Sequence, residues 1–392
     1  MKHDFDSVVD RRGTNCKKWD TYGEDVLPMW IADTDFRCPK PIVKAIQKRA
    51  LHPVFGYPAL SKDYENAVSS WQHRRFGWDV SPDWVEYTPA VVPAIVYAMR
   101  AFTHPGDRII VQMPAYHPFH QVIPHNGRFI APNPLREEAD GSWSVDWENF
   151  EELAADPRTT MFLLCSPHNP TGKCFTKDEL LHFAAICEKH HVFVVSDEIH
   201  SDIVYKKNRH IPFGHINEWA ANHCIVCINP SKTFNIAGFR TGAAIIPNRH
   251  NHDLFYNELE NLKAFGRNIF GTLAVQTAYT DCEYYADQLV EYLEGNLEYT
   301  HRFLTEKIPE IRLGVIQATY LLWLDCRALK MDHLRLMDFF LDEAKVALND
   351  GYTFGKEGDG FMRLNIACPR SQLTEALHRM AKAVTQWRTL QK

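Results

Sequence analysis

The chain has 392 residues, 45% of them hydrophobic and 23% charged, and a formal net charge of -6. That length allows roughly two to three domains, or one large domain with a smaller partner, and the acidic balance argues against nucleic acid, which needs a basic footprint. The opening Met1-Lys2-His3-Asp4-Phe5-Asp6 lacks an apolar h-region and no run approaches membrane-spanning length, so no membrane partner and a cytoplasmic location are expected.

From about residue 85 short apolar strands alternate with helical patterns, which reads as βαβ units and a mainly parallel sheet. Thr88-Pro89-Ala90-Val91-Val92 precedes a helical pattern, and the free N–H groups at such a start, at Val91 and Val92, suit a phosphate. The turn Pro105-Gly106-Asp107 delivers a strand over Arg108 to Gln112, and Pro114-Ala115-Tyr116 follows it. Further strands are expected at Met161 to Cys165, Val192 to Ser196, Ile225 to Ile228 and Ala243 to Ile246. Between the first two lies a helix opened by the capping box Thr176-Lys177-Asp178-Glu179, with Leu180, Phe183, Ala184 and Cys187 on one face. After Cys282 the character changes: a long helix around Tyr284 to Leu304, a strand at Thr319 to Leu324, then an amphipathic helix carrying Leu373, Leu377, Met380, Val384 and Trp387. The expected division is an N-terminal arm with part of a small domain over 1–45, a large α/β domain over 46–285 and a small α+β domain over 286–392.

The ten cysteines lie scattered in apolar segments and read as reduced core thiols. Cys224 and Cys227 form one Cys-x-x-Cys inside an expected strand, where positions three apart face opposite ways. No second pair completes a zinc site, and no metal is expected.

Lys232 follows the run Ile225-Val226-Cys227-Ile228, at a strand's mouth, where α/β proteins put their ligands. Ser231, Arg240 and the glycines between them suit a phosphate. An amine that forms a Schiff base beside a phosphate site is the attachment chemistry of pyridoxal phosphate; alone, the lysine reads as well as a solvated surface charge. Asn169, in Ser166-Pro167-His168-Asn169-Pro170-Thr171-Gly172, offers an amide to a phenolic oxygen, or marks a bare turn. Asp197 ends a buried strand, where a carboxylate needs a partner: a protonated pyridine nitrogen, or a helix cap or structural ion pair. Tyr116 offers a ring to stack on a flat heterocycle or simply packs in the core. Arg363, in Gly360-Phe361-Met362-Arg363-Leu364-Asn365, suits a bidentate clamp on a substrate carboxylate or a structural salt bridge.

Taken in order, Asn169, Asp197, Lys232, Arg240 and Arg363 resemble the stations of the fold-type I pyridoxal-phosphate enzymes, the aspartate aminotransferase superfamily, over nearly the whole chain. The resemblance implies an α/β fold with a large mainly parallel-sheet domain and a smaller α+β domain. It makes Lys232 the Schiff-base lysine, pairs Asp197 with the pyridine nitrogen and Asn169 with the phenolic oxygen, puts Ser231 and Arg240 on the phosphate, and puts Arg363 on the α-carboxylate. The transaminases of that superfamily commonly carry a tyrosine where this chain has His200. Ser196-Asp197-Glu198-Ile199-His200 instead resembles the MalY/PatB branch of carbon–sulfur lyases. Val9-Asp10-Arg11-Arg12-Gly13-Thr14, Lys18-Trp19-Asp20, Pro28 to Phe36, Val54-Phe55-Gly56-Tyr57 and Cys368-Pro369-Arg370 agree. In that branch Tyr57 is expected to reach the partner subunit's phosphate, which implies a homodimer with composite sites, and Trp30 and Ile31 are expected to line the substrate pocket.

The implied activity is β-elimination on cystathionine or related cysteine S-conjugates, giving a thiol, pyruvate and ammonia. An aminotransferase shares the residues and the steps up to loss of the Cα proton, and stands as the alternative. A regulator-binding role added to catalysis is a third.

Overall fold

The computed structural model describes residues 2–58, 61–264 and 266–390. Seven strands form the central sheet: β1 (Val85–Thr88), β2 (Arg108–Met113), β3 (Phe129–Pro134), β4 (Thr159–Cys165), β5 (Phe193–Asp197), β6 (Cys224–Ile228) and β7 (Gly242–Ile245). Their order across the sheet is β1-β7-β6-β5-β4-β2-β3. β7 runs antiparallel to both its neighbours, and every other pair is parallel.

Parallel strands covered on both faces are apolar throughout, and β6 is buried at every residue. The two-residue period of a strand then sorts the side chains. Phe162, Leu164, Val194 and Val226 join one apolar cluster, while Met161, Leu163, Val195 and Ile225 join the other. Cys224 and Cys227 fall in different clusters, on opposite faces, so they do not face one another.

Helices α1 (Val91–Phe102) and α2 (Lys177–His190) cover opposite faces of this sheet, α2 packing into the first cluster and α1 into the second. The expected capping box closes α2: Thr176 Oγ1 accepts from Glu179 N–H, and the Glu179 carboxylate accepts from Thr176 N–H. A short helix α3 (Ser231–Phe234) follows β6, and the long α4 (Glu283–Lys307) leads away from the sheet. The expected boundary at 285 falls in the first turn of α4.

A second sheet joins β8 (Arg312–Leu313), β9 (Leu321–Asp325), β10 (Asn349–Asp350) and β11 (Phe361–Asn365) in the order β8-β9-β11-β10, all antiparallel. The closing helix α5 (Arg370–Leu390) buries Leu373, Leu377, Met380 and Val384. The N-terminal segment adds Leu27–Pro28 in parallel to Val346–Ala347. Among the described residues no helix is long and apolar enough to cross a membrane.

Register sets where function can sit. Cys165 lies opposite Asp197, and Asp197 opposite Cys227, so β4, β5 and β6 end at one level. The loops carrying Asn169, His200 and Lys232 therefore leave the sheet on the same edge, beyond the carboxyl ends of parallel strands.

Candidate active site

At that edge lies a cavity of about 350 Å³. Val91, Val92, Tyr116, Asn169, Asp197, His200, Ser231, Lys232 and Arg240 all line it. Ala32, Ala90, Pro93, Cys165, Ile199, Asn229 and Ala237, none of them expected from sequence, complete the wall.

Lys232 sits in the first turn of α3, and its Nζ donates to the Ala32 carbonyl at 2.7 Å. Burial lowers its pKa to about 8, with Arg363 pushing the same way and Asp33 and Asp197 opposing. Asp197 is the last residue of β5. Burial pushes its carboxyl up to about 7, although its Oδ1 accepts from the Ile199 N–H at 3.1 Å. His200 is buried three residues beyond Asp197, and burial drives its pKa down to about 3, so its ring is neutral. Among the described residues its Nδ1 has no hydrogen-bond partner.

Part of the lining suits an anion. No side chain caps α1, and its first turn carries no acidic residue, so the N–H groups of Val91 and Val92 meet the cavity unneutralised. Arg240, exposed and in a left-handed conformation at φ +47°, lines the same cavity as Ser231. Asn229 fixes the turn between β6 and α3 by accepting from the Ser231 N–H at 2.9 Å. Gly242 lets β7 pass this turn: a Cβ there would lie 2.8 Å from the Ile228 carbonyl oxygen and 2.9 Å from Asn229 Nδ2.

Arg363 does not line the cavity but reaches Asn169, which does. Nη1 donates to Asn169 Oδ1 at 2.8 Å and Nη2 to Asn349 Oδ1 at 2.7 Å, while Nε has no partner among the described residues. The guanidinium lies 4.7 Å from the Phe354 ring centroid. The residue is 2% exposed, and burial lowers its pKa to about 10. Among the described residues no carboxylate pairs with it, so the structural salt bridge considered from sequence is not formed. A buried cation held only by neutral oxygens is costly until an anion arrives.

Trp30 and Ile31 also lie outside the cavity lining. The Trp30 indole N–H donates to the Lys18 carbonyl at 3.1 Å, and its ring meets Tyr22 edge-on. Ile31 is tied to the Arg363 side of the site through Asn349. The strap they belong to is anchored by buried Asp35, which accepts from Lys18 Nζ at 2.6 Å, Arg11 Nη1 at 2.7 Å and Trp19 Nε1 at 2.8 Å. Tyr57 is fully exposed, beside exposed Val54 and Phe55, and does not reach the cavity of its own chain.

These donors fit pyridoxal phosphate on chemical grounds. An uncapped helix start with Ser231 and Arg240 suits a phosphate dianion. The buried, strained-to-ionise carboxyl of Asp197 suits a cationic ring nitrogen, and the depressed amine of Lys232 suits a Schiff base.

Comparison with known proteins agrees. The family model for aminotransferase class I and II matches residues 24–380. The chain is 39% identical over 386 residues to the cystathionine beta-lyase PatB of Bacillus subtilis (strain 168), covering 97% of this chain and 100% of that one. It is 35% identical to protein MalY of Escherichia coli (strain K12), with 97% and 98% covered. Among solved structures, cystalysin from Treponema denticola, which contains a pyridoxal 5'-phosphate cofactor, superposes with a TM-score of 0.95 at 34% identity, over 98% of this chain and 100% of that one.

Proposed function

The chain belongs to the aminotransferase class I and II family, and on that premise we propose that it is a pyridoxal-phosphate-dependent carbon–sulfur lyase. Its substrate is cystathionine or a related cysteine S-conjugate, and its products are a thiol, pyruvate and ammonia. The observation that carries this reading is one cavity shared by the Lys232 amine, the Asp197 carboxyl and an anion-binding helix start, next to an Arg363 guanidinium without an anion.

Bound in the cavity, pyridoxal phosphate supplies an aldehyde that condenses with amines and a ring that accepts electrons released at Cα. Ser231, Arg240 and the N–H groups of Val91 and Val92 would hold its phosphate. Asp197 would keep a proton on the cofactor's ring nitrogen, Tyr116 would pack against its ring, and Asn169 would donate its amide to the phenolic oxygen while its carbonyl oxygen serves Arg363. Arg363 binds the substrate's α-carboxylate bidentately, which fixes the Cα–H bond relative to Lys232. Lys232 then removes the Cα proton, and the burial that favours its neutral form makes it a competent base near neutral pH. A thiolate leaves Cβ with little assistance, so no dedicated acid is required there. With cystathionine and one water the net products are homocysteine, pyruvate and ammonia. His200, neutral on the cavity wall, lacks the hydroxyl that a transaminase tyrosine would bring. The aminotransferase alternative has less support, since a relative of 39% identity is a cystathionine beta-lyase.

Two copies form the working unit in this reading, with Tyr57 reaching the other copy's phosphate; its full exposure and apolar neighbours support that. Ten free thiols support a reducing compartment, the cytoplasm. Purified protein given L-cystathionine is expected to release homocysteine and pyruvate in equal amounts, and Lys232→Ala to release neither. Undiminished pyruvate from Lys232→Ala would contradict the assignment.

A further inference from the structure

Asn349 belongs to no motif in the sequence and lies outside the cavity lining, yet it stands at a junction. Its Oδ1 accepts from Arg363 Nη2 at 2.7 Å and from the Ile31 backbone N–H at 3.0 Å. It lies opposite Arg363 in the register of β10 and β11, so the strand that carries the arginine also fixes its partner. Ile31 opens the strap whose next carbonyl, at Ala32, accepts from Lys232 Nζ. That strap is held against its own preference: Ile31 sits at φ +41°, where a β-branched residue rarely rests. Asn365 clamps it from the other side, donating to the carbonyls of Ile31 and Asp33 at 2.8 and 2.9 Å.

Charge decides which kind of anchor is useful here. Both Nη groups of Arg363 rest on neutral amide oxygens, from Asn169 and Asn349. A carboxylate in either place would form an ion pair with a guanidinium out of water's reach, and an incoming carboxylate would then have to compete with it. A neutral oxygen fixes the geometry and leaves the charge available. We propose that Asn349 is a positioning residue that orients Arg363 toward the α-carboxylate of an amino-acid substrate without neutralising it, and ties that arginine to the strap that seats Lys232. This rests on the amino-acid reading of the site given above.

The test is a titration of holoenzyme with glycine and, separately, with glycinamide, which keeps the amine and lacks the carboxylate, followed by the visible absorbance of the bound cofactor. Asn349→Asp retains both hydrogen bonds and adds a charge, whereas Asn349→Ala removes both and adds none. Asn349→Asp is expected to weaken glycine by about tenfold or more, and further than Asn349→Ala does, while changing glycinamide by less than about threefold. Glycine bound by Asn349→Asp as well as by Asn349→Ala, or better, overturns the role. So does a loss of glycine and glycinamide alike, as a collapsed site would give. A wild-type spectrum that glycine leaves unchanged overturns the amino-acid reading itself, independently of either variant.

Discussion

Two buried groups carry their charges at a cost, and each cost has a measurable sign. Burial raises the Asp197 carboxyl to about 7, so the folded chain without cofactor binds that proton more tightly than the unfolded chain does. Stability of the cofactor-free protein therefore declines as pH rises from about 4 to about 7, by something on the order of 4 kcal/mol. Asp197→Asn removes this cost. Its melting temperature without cofactor is expected to exceed wild type above pH 7 and to converge with it near pH 4, while its lyase activity falls. Arg363 is the mirror case, a buried cation with neutral partners. Arg363→Lys keeps a charge but loses the planar fork, and is expected to lower kcat/KM for cystathionine by roughly ten- to hundredfold, as steady-state kinetics would show. Lys232, Asp197 and Asn169 were legible in the sequence because each follows a recognisable apolar strand. Asn349 and Asn365 were not: they act through contacts some 330 residues away in the chain, at Ile31 and Asp33, and no local pattern encodes such a meeting.

At the scale of elements, the buried strands β4, β5 and β6 were readable as continuous apolar runs because helices cover both faces of the sheet. β3 was not, since Pro132 and Pro134 interrupt its pattern. An edge strand tolerates them, and among the described residues β3 pairs with β2 alone. β1 is four residues long with Glu86 in its middle, too short and mixed to show a period. The α2 capping box was visible in four residues because both hydrogen bonds are local. Neither Thr176 nor Glu179 lines the cavity, which makes the box a useful control. Thr176→Ala is expected to cost about 1 kcal/mol, read as a shifted urea midpoint, with kcat/KM unchanged.

For the whole molecule, the exposed Val54, Phe55 and Tyr57 project from one chain, and the proposed second copy gives them a destination. If Tyr57 serves the partner's phosphate, then Lys232→Ala and Tyr57→Ala are defective in different halves of one composite site. Mixing the two inactive proteins under conditions that exchange subunits is expected to restore activity toward about a quarter of wild type, because half the dimers are mixed and each holds one intact site. No recovery in verified mixed dimers would contradict the composite site. We also propose that the large unit spans 46–285, with 1–45 and 286–392 forming the smaller one. The arm's pairing of Leu27–Pro28 with Val346–Ala347 supports that grouping.

Removal of the Cα proton by Lys232 is proposed to end in loss of sulfur from Cβ, not in exchange of the amino group with a keto acid. Holoenzyme incubated with L-cystathionine, with and without an added keto acid, tests it most directly. Steady release of pyruvate and homocysteine over many turnovers, at the same rate in both incubations, is the expected result. Turnover that stops after one equivalent unless keto acid is present would contradict it.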